Sequence, residues 1–344
     1  MSEPGFRVAD FDYHLPPELI AQTPSPVRGG SRLLDVDRSG GTLADRAFAD
    51  LADLIPAGDL LVLNSTKVRH ARLLGTRASG RPAEVLLIHP AADGCWIAMG
   101  QPGSALKPGK RITFGDEAAV ETVAVLDGPN RLVRFVGISA EEAMTRFGRL
   151  PLPPYIAREA TPIDDERYQT VYAERPGSVA APTAGLHFTP ALLTQLESKG
   201  VGLGTLDLEV GPGTFRPMEG DDPARHPMHR ESFTISEELA ARVEATKVRG
   251  GAVWAVGTTV VRALESAATE TGLTPGAQDT ALLILPGFRF RIVDRLITNF
   301  HLPKSTLLML VSAFGGVAAI RAAYQRAVAQ QYRFYSYGDA MVIR

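Results

Sequence analysis

Apolar and polar positions change rhythm twice along this chain. Between residues 69 and 136 they come in short alternating runs, among them Glu84-Val85-Leu86-Leu87-Ile88, Trp96-Ile97-Ala98-Met99 and Arg131-Leu132-Val133-Arg134-Phe135. Alternation with a period of two predicts strands. Turn clusters at Ala78-Ser79-Gly80-Arg81-Pro82, Ala92-Asp93-Gly94 and Asp127-Gly128-Pro129-Asn130 separate the runs, and a helical period first shows from Ser139 to Phe147. A small closed β-barrel is the economical expectation, because closure leaves no sheet edge exposed.

On either side of this insert, runs such as Asp59-Leu60-Leu61-Val62-Leu63, Val253-Trp254-Ala255-Val256 and Ala281-Leu282-Leu283-Ile284-Leu285 alternate with helical patterns, which is α/β grammar. Leu150-Pro151-Leu152-Pro153-Pro154-Tyr155 places three prolines in five positions, a stiff return from barrel to main domain. The predicted fold class is therefore α/β: a discontinuous main α/β domain, residues 1–68 and 151–344, with an inserted small β-barrel domain, residues 69–150. A length of 344 residues agrees with two cores rather than one.

Composition narrows the function classes. Cys95 is the single cysteine, which excludes an intramolecular disulfide and any zinc site built on two thiolates of one chain. The expectation is a reducing cytoplasm and no metal. The acidic first twelve residues do not resemble a secretory signal, and no apolar run approaches the roughly 20 residues of a spanning helix, so no membrane is expected. The formal net charge of −2 is unevenly placed: residues 286–344 hold eight Lys or Arg and two Asp, leaving −8 for the rest. Clustered cations recruit phosphates and so permit RNA, with a solvated helix face as the competing reading.

Three polar turns stand out. Thr298-Asn299-Phe300-His301-Leu302-Pro303-Lys304-Ser305 opens the apolar stretch Thr306-Leu307-Leu308-Met309-Leu310-Val311-Ser312-Ala313-Phe314, with Ser305 as the expected N-cap and Gly315 as the expected C-cap of a buried helix. The turn before Thr189-Pro190 carries His187 just ahead of a second helix start. Val256-Gly257-Thr258-Thr259-Val260-Val261-Arg262 follows an apolar strand and can point backbone N–H groups at an anion. No Walker loop is present, and Gly211-Pro212-Gly213-Thr214 lacks the full dinucleotide fingerprint, which disfavours triphosphate hydrolysis and dinucleotide binding. In His226-Pro227-Met228-His229-Arg230-Glu231, Pro227 spoils the helix that would align a metal-binding histidine pair, leaving a surface loop or a substrate-facing loop as the main readings. Tyr332-Arg333-Phe334-Tyr335-Ser336-Tyr337-Gly338-Asp339 interleaves aromatics with charge; a base-stacking surface and an aromatic strand packed on the core are both open.

Taken together, the segments Leu15-Pro16-Pro17-Glu18-Leu19-Ile20-Ala21-Gln22, Asp59 to Asn64, Pro151-Leu152-Pro153-Pro154-Tyr155-Ile156, Ala180 to Thr189, Val256 to Thr259, Thr298 to Phe314 and Phe334 to Met341 resemble the S-adenosylmethionine:tRNA ribosyltransferase-isomerase family of queuosine biosynthesis over nearly the whole chain. The resemblance implies an α/β domain with an inserted β-barrel. It also implies that the ribosyl part of S-adenosylmethionine passes to the 7-aminomethyl-7-deazaguanine wobble base of tRNA and rearranges to epoxyqueuosine, with adenine and methionine released. S-adenosylmethionine is then a consumed substrate, no cofactor is needed, and a cytoplasmic monomer is expected.

That chemistry needs a base for the acidic C5′ hydrogens beside the sulfonium and a donor for departing adenine, tasks suited to histidine. His187 and His301 are the acid/base candidates, with Glu231 or Asp339 orienting one of them. Thr258, Thr259 and Arg262 are candidates for the methionine carboxylate, and Lys304 for tRNA phosphate or a developing negative charge. Asn64, Thr183, Asn299, Ser305, Tyr335 and Tyr337 complete the expected substrate contacts. Two places depart from the family pattern: Gly100-Gln101-Pro102-Gly103-Ser104-Ala105 lacks the usual cations, and Glu209 stands where histidine is common.

Overall fold

The computed structural model describes residues 5–211, 218, 220–270 and 272–344. Its larger sheet has nine strands, in the order Gly276–Thr280, Glu231–Ile235, Gly202–Leu208, Leu60–Asn64, Val253–Val256, Arg295–Asn299, Ala340–Ile343, Arg32–Val36 and Leu43–Ala47. The four from Gly202–Leu208 to Arg295–Asn299 run parallel. Ala340–Ile343 runs against them, and Arg32–Val36 runs with Ala340–Ile343. The carboxyl ends of the parallel four and the amino ends of those last two strands therefore share one edge.

Parallel strands are buried on both faces and read as continuous apolar runs. Leu60–Asn64 and Val253–Val256 are buried at every position. Alternate residues feed two cores: Leu60, Val62, Val253 and Ala255 pack with Val260, Phe300 and Phe334, while Leu61, Leu63, Trp254 and Val256 pack with Phe48, Phe188 and Leu192.

The smaller sheet closes on itself. Arg72–Arg77, Pro82–Pro90, Cys95–Gln101, Arg131–Val136, Ala118–Val125 and Arg111–Phe114 pair antiparallel in that order, and Arg111–Phe114 pairs back onto Arg72–Arg77. Gly75 lies at this seam, where an added Cβ would sit 2.6 Å from Ile112 Cγ2 and from the Thr113 carbonyl oxygen. Helix Ala140–Phe147 buries Ala140 and Ala143 in the barrel core, and the Ser139 hydroxyl accepts from the Glu142 N–H to start it.

Several local expectations shift. Ala281 to Leu285 forms no strand: the strand is Gly276–Thr280, and the apolar run after it is an irregular wall. Its polar groups bond outside any ladder, the Leu282 N–H donating to Thr280 Oγ1 and the Leu282 carbonyl accepting from Arg262 Nε, while Ile284 fills the core. Ser305 does cap helix Thr306–Gly315, but the C-cap is Gly316, at φ 85°, one residue beyond the expected Gly315. Gly315 is the last helical residue, and Ile320 occupies the space its Cβ would need, so the glycine there serves packing. The loop Gly211-Pro212-Gly213-Thr214 lies largely outside the described residues. Among the described residues no single helix is long and apolar enough to cross a membrane.

Three of the eight cations of the basic C-terminal segment pair with carboxylates from the first part of the chain. Arg326 pairs with Asp45, Arg344 with Asp35 and Lys304 with Asp12. These pairs stitch the two ends of the chain together.

Substituting Gly75→Val is expected to open the barrel seam at a cost of about 1–3 kcal/mol, the usual range for overpacking. A urea titration checks this: the midpoint should fall below that of the native protein.

Candidate active site

The turns that follow the parallel strands meet at the shared edge, the usual place for a ligand crevice in an open α/β sheet. Val210, Gly257 to Thr259 and Thr298 to Leu302 come from three of those strand ends. Together with Ala181 to Ala184, Tyr155, Ser305 and Tyr335 they line a small cavity of about 60 Å³. Gly257 makes the sharp entry into helix Thr258–Ser266, and its φ of 98° favours glycine. The nine-residue helix then starts at the cavity wall, with its first backbone N–H groups at that end.

A second cavity, of about 30 Å³, shares Thr259 and Leu307 with the first. His226, His229, Glu231 and Arg262 line it. The buried Arg262 guanidinium donates to Glu231 through Nη1 and to the Leu282 carbonyl through Nε. Its Nη2 is buried with no partner among the described residues. A buried donor left unmade costs free energy, so this nitrogen is a ready contact for an anion.

His301 lines the first cavity, with Nε2 2.8 Å from Thr298 Oγ1. Its backbone is clamped: the N–H donates to Tyr324 Oη, and the carbonyl accepts from Tyr13 Oη. Burial drives its pKa down to about 3. His187 sits behind the cavity wall, with its ring 5.0 Å from that of Phe48. Its Nδ1 is 2.9 Å from Ser31 Oγ and its Nε2 3.1 Å from Asn299 Nδ2. Burial, helped by the Arg28 charge, lowers its pKa to about 4.

A family model described as "Queuosine biosynthesis protein" matches residues 8–343. The chain belongs to this family. Curated relatives named S-adenosylmethionine:tRNA ribosyltransferase-isomerase include one from Azoarcus sp., 52% identical over 97% of this chain and 96% of its own, and one from Symbiobacterium thermophilum, 50% identical over 98% and 99%. The crystal structure of S-adenosylmethionine tRNA ribosyltransferase from Thermotoga maritima is 34% identical, covers 97% of this chain and 100% of its own, and superposes with a TM-score of 0.57. The α/β class with a closed barrel is thus the architecture of the family.

Of the residues singled out in the sequence, Thr183, Thr258, Thr259, Asn299, His301, Ser305 and Tyr335 line the first cavity, and Glu231 and Arg262 the second. The others lie elsewhere. Asn64 spans two strand ends, donating to the Leu208 carbonyl and accepting from the N–H groups of Leu208 and Thr66. Tyr337 donates to Asp164, which also holds Arg158. Lys304, half-exposed at φ 55°, pairs with Asp12 at 2.8 Å.

The carboxylate partners expected for the histidines are otherwise engaged. Glu231 answers Arg262, and Asp339 accepts from Arg32 Nε and from the N–H groups of Arg32 and Arg333, while the imidazoles find Ser31, Asn299 and Thr298. Buried neutral imidazoles need neutral partners; a carboxylate beside them would raise the pKa values that burial lowers. Sequence reasoning missed Ser31, which no motif marked, and Tyr155, noted only as part of the proline hinge. It lines the cavity, with its ring 4.7 Å from that of Tyr335.

The unfolded chain protonates histidine near pH 6.5, whereas native His187 and His301 resist protonation until about 4 and 3. Between those limits the unfolded state binds more protons, so the stability these groups allow above pH 6.5 declines as the pH falls. Imidazole NMR is expected to show both rings neutral from pH 8 down to 5, with the urea midpoint dropping over the lower part of that window.

Proposed function

We propose that this chain transfers and isomerises the ribosyl moiety of S-adenosylmethionine onto the 7-aminomethyl-7-deazaguanine wobble base of tRNA, giving epoxyqueuosine-tRNA and releasing adenine and methionine. The names of full-length relatives at about half identity support the reaction. The observation that carries the reading at the level of residues is the pair of adjoining cavities, one walled largely by aromatic and aliphatic groups and the other holding an unpaired guanidinium nitrogen. An elongated substrate with a nucleoside at one end and an amino acid at the other suits that pair.

In this reading adenosine occupies the first cavity and the methionine tail the second. Its carboxylate meets Arg262 Nη2 and the N–H groups at the start of helix Thr258–Ser266, with Glu231 holding the guanidinium in place. The sulfonium acidifies the C5′ hydrogens, and His301, kept neutral by burial, receives the proton. A tautomer in which Nε2–H donates to Thr298 leaves the Nδ1 lone pair for that task. Negative charge developing at C5′ raises the basicity of the imidazole at the moment it is needed. Thr183, Ser305 and Tyr335 shape the nucleoside cavity.

The tRNA base approaches from the open side. A groove lined by Asp12 to Leu15, Ile20 and Pro303 shares Tyr335 with the first cavity, and the Asp12–Lys304 pair stands at its edge. Exchange of Asp12 for a phosphate would free Lys304 to hold the anticodon backbone. S-adenosylmethionine is consumed as a substrate, and no separate cofactor enters the scheme. We expect a monomer; a single buried cysteine and a tRNA substrate support the cytoplasm.

Mixing the protein with S-adenosylmethionine and tRNA bearing the aminomethyl base should release free adenine, detected chromatographically; absence of adenine contradicts the proposed reaction. His301→Ala is expected to lower turnover by about 10²- to 10⁴-fold with little change in S-adenosylmethionine affinity. Normal turnover in that variant removes His301 from the chemistry.

A further inference from the structure

Asn299 ends the central strand Arg295–Asn299, lines the nucleoside cavity and is 2% exposed. Its amide nitrogen donates to the Tyr335 carbonyl at 3.0 Å and faces His187 Nε2 at 3.1 Å. A backbone carbonyl can only accept, so the nitrogen must be the atom that faces Tyr335, and the orientation of the amide is settled by chemistry. The same nitrogen donates to His187, which makes Nε2 the acceptor and puts the imidazole proton on Nδ1, where it donates to Ser31 Oγ. Asn299 Oδ1 is then left buried with no partner among the described residues. A buried acceptor without a donor is costly unless a ligand supplies one.

We infer that Asn299 Oδ1 accepts a hydrogen bond from the 6-amino group of the substrate's adenine, and that His187, through its Nε2 lone pair, is the positioning residue that holds the amide this way round. The inference rests on the proposed function and deepens it by naming what selects the nucleoside. Among the donors of S-adenosylmethionine, the amino group on a flat ring is the one that belongs in a cavity walled by Tyr155, Tyr335, Phe300, Leu302 and Val210. The hydroxyl and ammonium groups are better served by water or by the polar turns. A 6-oxo purine would set acceptor against acceptor. Both ring nitrogens of His187 are occupied and the ring lies behind the wall, so it moves no proton during the reaction. Asn299 cannot protonate departing adenine either; it sets the ring's register.

The test uses the full-length enzyme with modified tRNA and three cosubstrates: S-adenosylmethionine, its counterpart with hydrogen at purine C6, and its 6-oxo counterpart. The readout is the ratio of kcat/KM values for release of the respective base, together with the ratio of dissociation constants. These ratios do not depend on how much of a variant is folded. The native enzyme is expected to prefer the 6-amino compound over the 6-hydrogen compound by about 10- to 100-fold and to reject the 6-oxo compound more strongly. Asn299→Ala should bring the first two within about threefold. His187→Phe should weaken the preference as well, and His187→Gln, which restores an acceptor, should recover part of it. A native enzyme indifferent to the 6-substituent, or an Asn299→Ala protein that keeps the preference, overturns the inference. Failure of S-adenosylmethionine itself to yield adenine contradicts the proposed function, while the binding ratios still decide the role of Asn299.

Discussion

Four parallel strands side by side are the constraint on which the rest of the molecule depends. Leu60–Asn64, Val253–Val256 and nearly all of Arg295–Asn299 are buried on both faces, while Gly202–Leu208 buries one, so the crevice open to a ligand lies beyond the strand ends. Because the strands share a direction, Val210, Gly257 and Phe300 leave the sheet at one edge. The antiparallel strand Ala340–Ile343 returns Tyr335 and Ser336 to that edge, and its parallel partner Arg32–Val36 brings Ser31 there. Residues more than a hundred positions apart therefore touch, as His187 does Ser31 and Asn299.

The interior of the site is neutral where a nucleoside is proposed to lie and charged where an amino acid tail is proposed to lie. Two imidazoles held neutral by burial, a clamped amide and a group of hydroxyls make up the first region. The second holds one guanidinium balanced by one carboxylate, with one guanidinium nitrogen to spare. A buried pair of this kind is poor evidence for stability, since desolvation offsets much of its attraction. Its value here is that the guanidinium stays fixed and keeps capacity for a second anion. Elsewhere charge serves closure: Asp35 holds Arg344 and Asp339 holds Arg32, which ties the first strand to the last residues.

How much of this could be read from the chain alone depended on distance along it. Ser305, Thr189 and Ser139 cap the helices that follow them, because a cap is a relation between residues three apart. The barrel was readable from alternation, though Arg111–Phe114 and Ala118–Val125 were not separately picked out; their alternation is interrupted at the turn between them. The Thr298–Ser305 turn showed that polar groups crowd near a buried helix, and six of its residues, Thr298 to Leu302 and Ser305, do reach the cavity. It did not show depth. Whether His187 lines the cavity or stands behind Asn299 depends on a layer of packing that no local spacing encodes. The same holds for Arg262 and Glu231, whose pairing joins a helix to a strand 31 residues away. Ala281 to Leu285 has strand-like composition but follows directly on the edge strand Gly276–Thr280, which pairs with Glu231–Ile235, and leaves the sheet after it.

The central claim is that the two adjoining cavities at the strand ends are one binding site for one elongated substrate. The most direct measurement is a crystal structure of the protein with S-adenosylmethionine bound. The account predicts adenine between Tyr335 and Asn299, C5′ beside the sulfonium sulfur facing His301, and the carboxylate on Arg262 Nη2 and the first turn of Thr258–Ser266. Density for the ligand in another place, such as the groove between residues 10–14 and helix Val317–Ala329, or with its carboxylate in the first cavity and its adenine in the second, would contradict it.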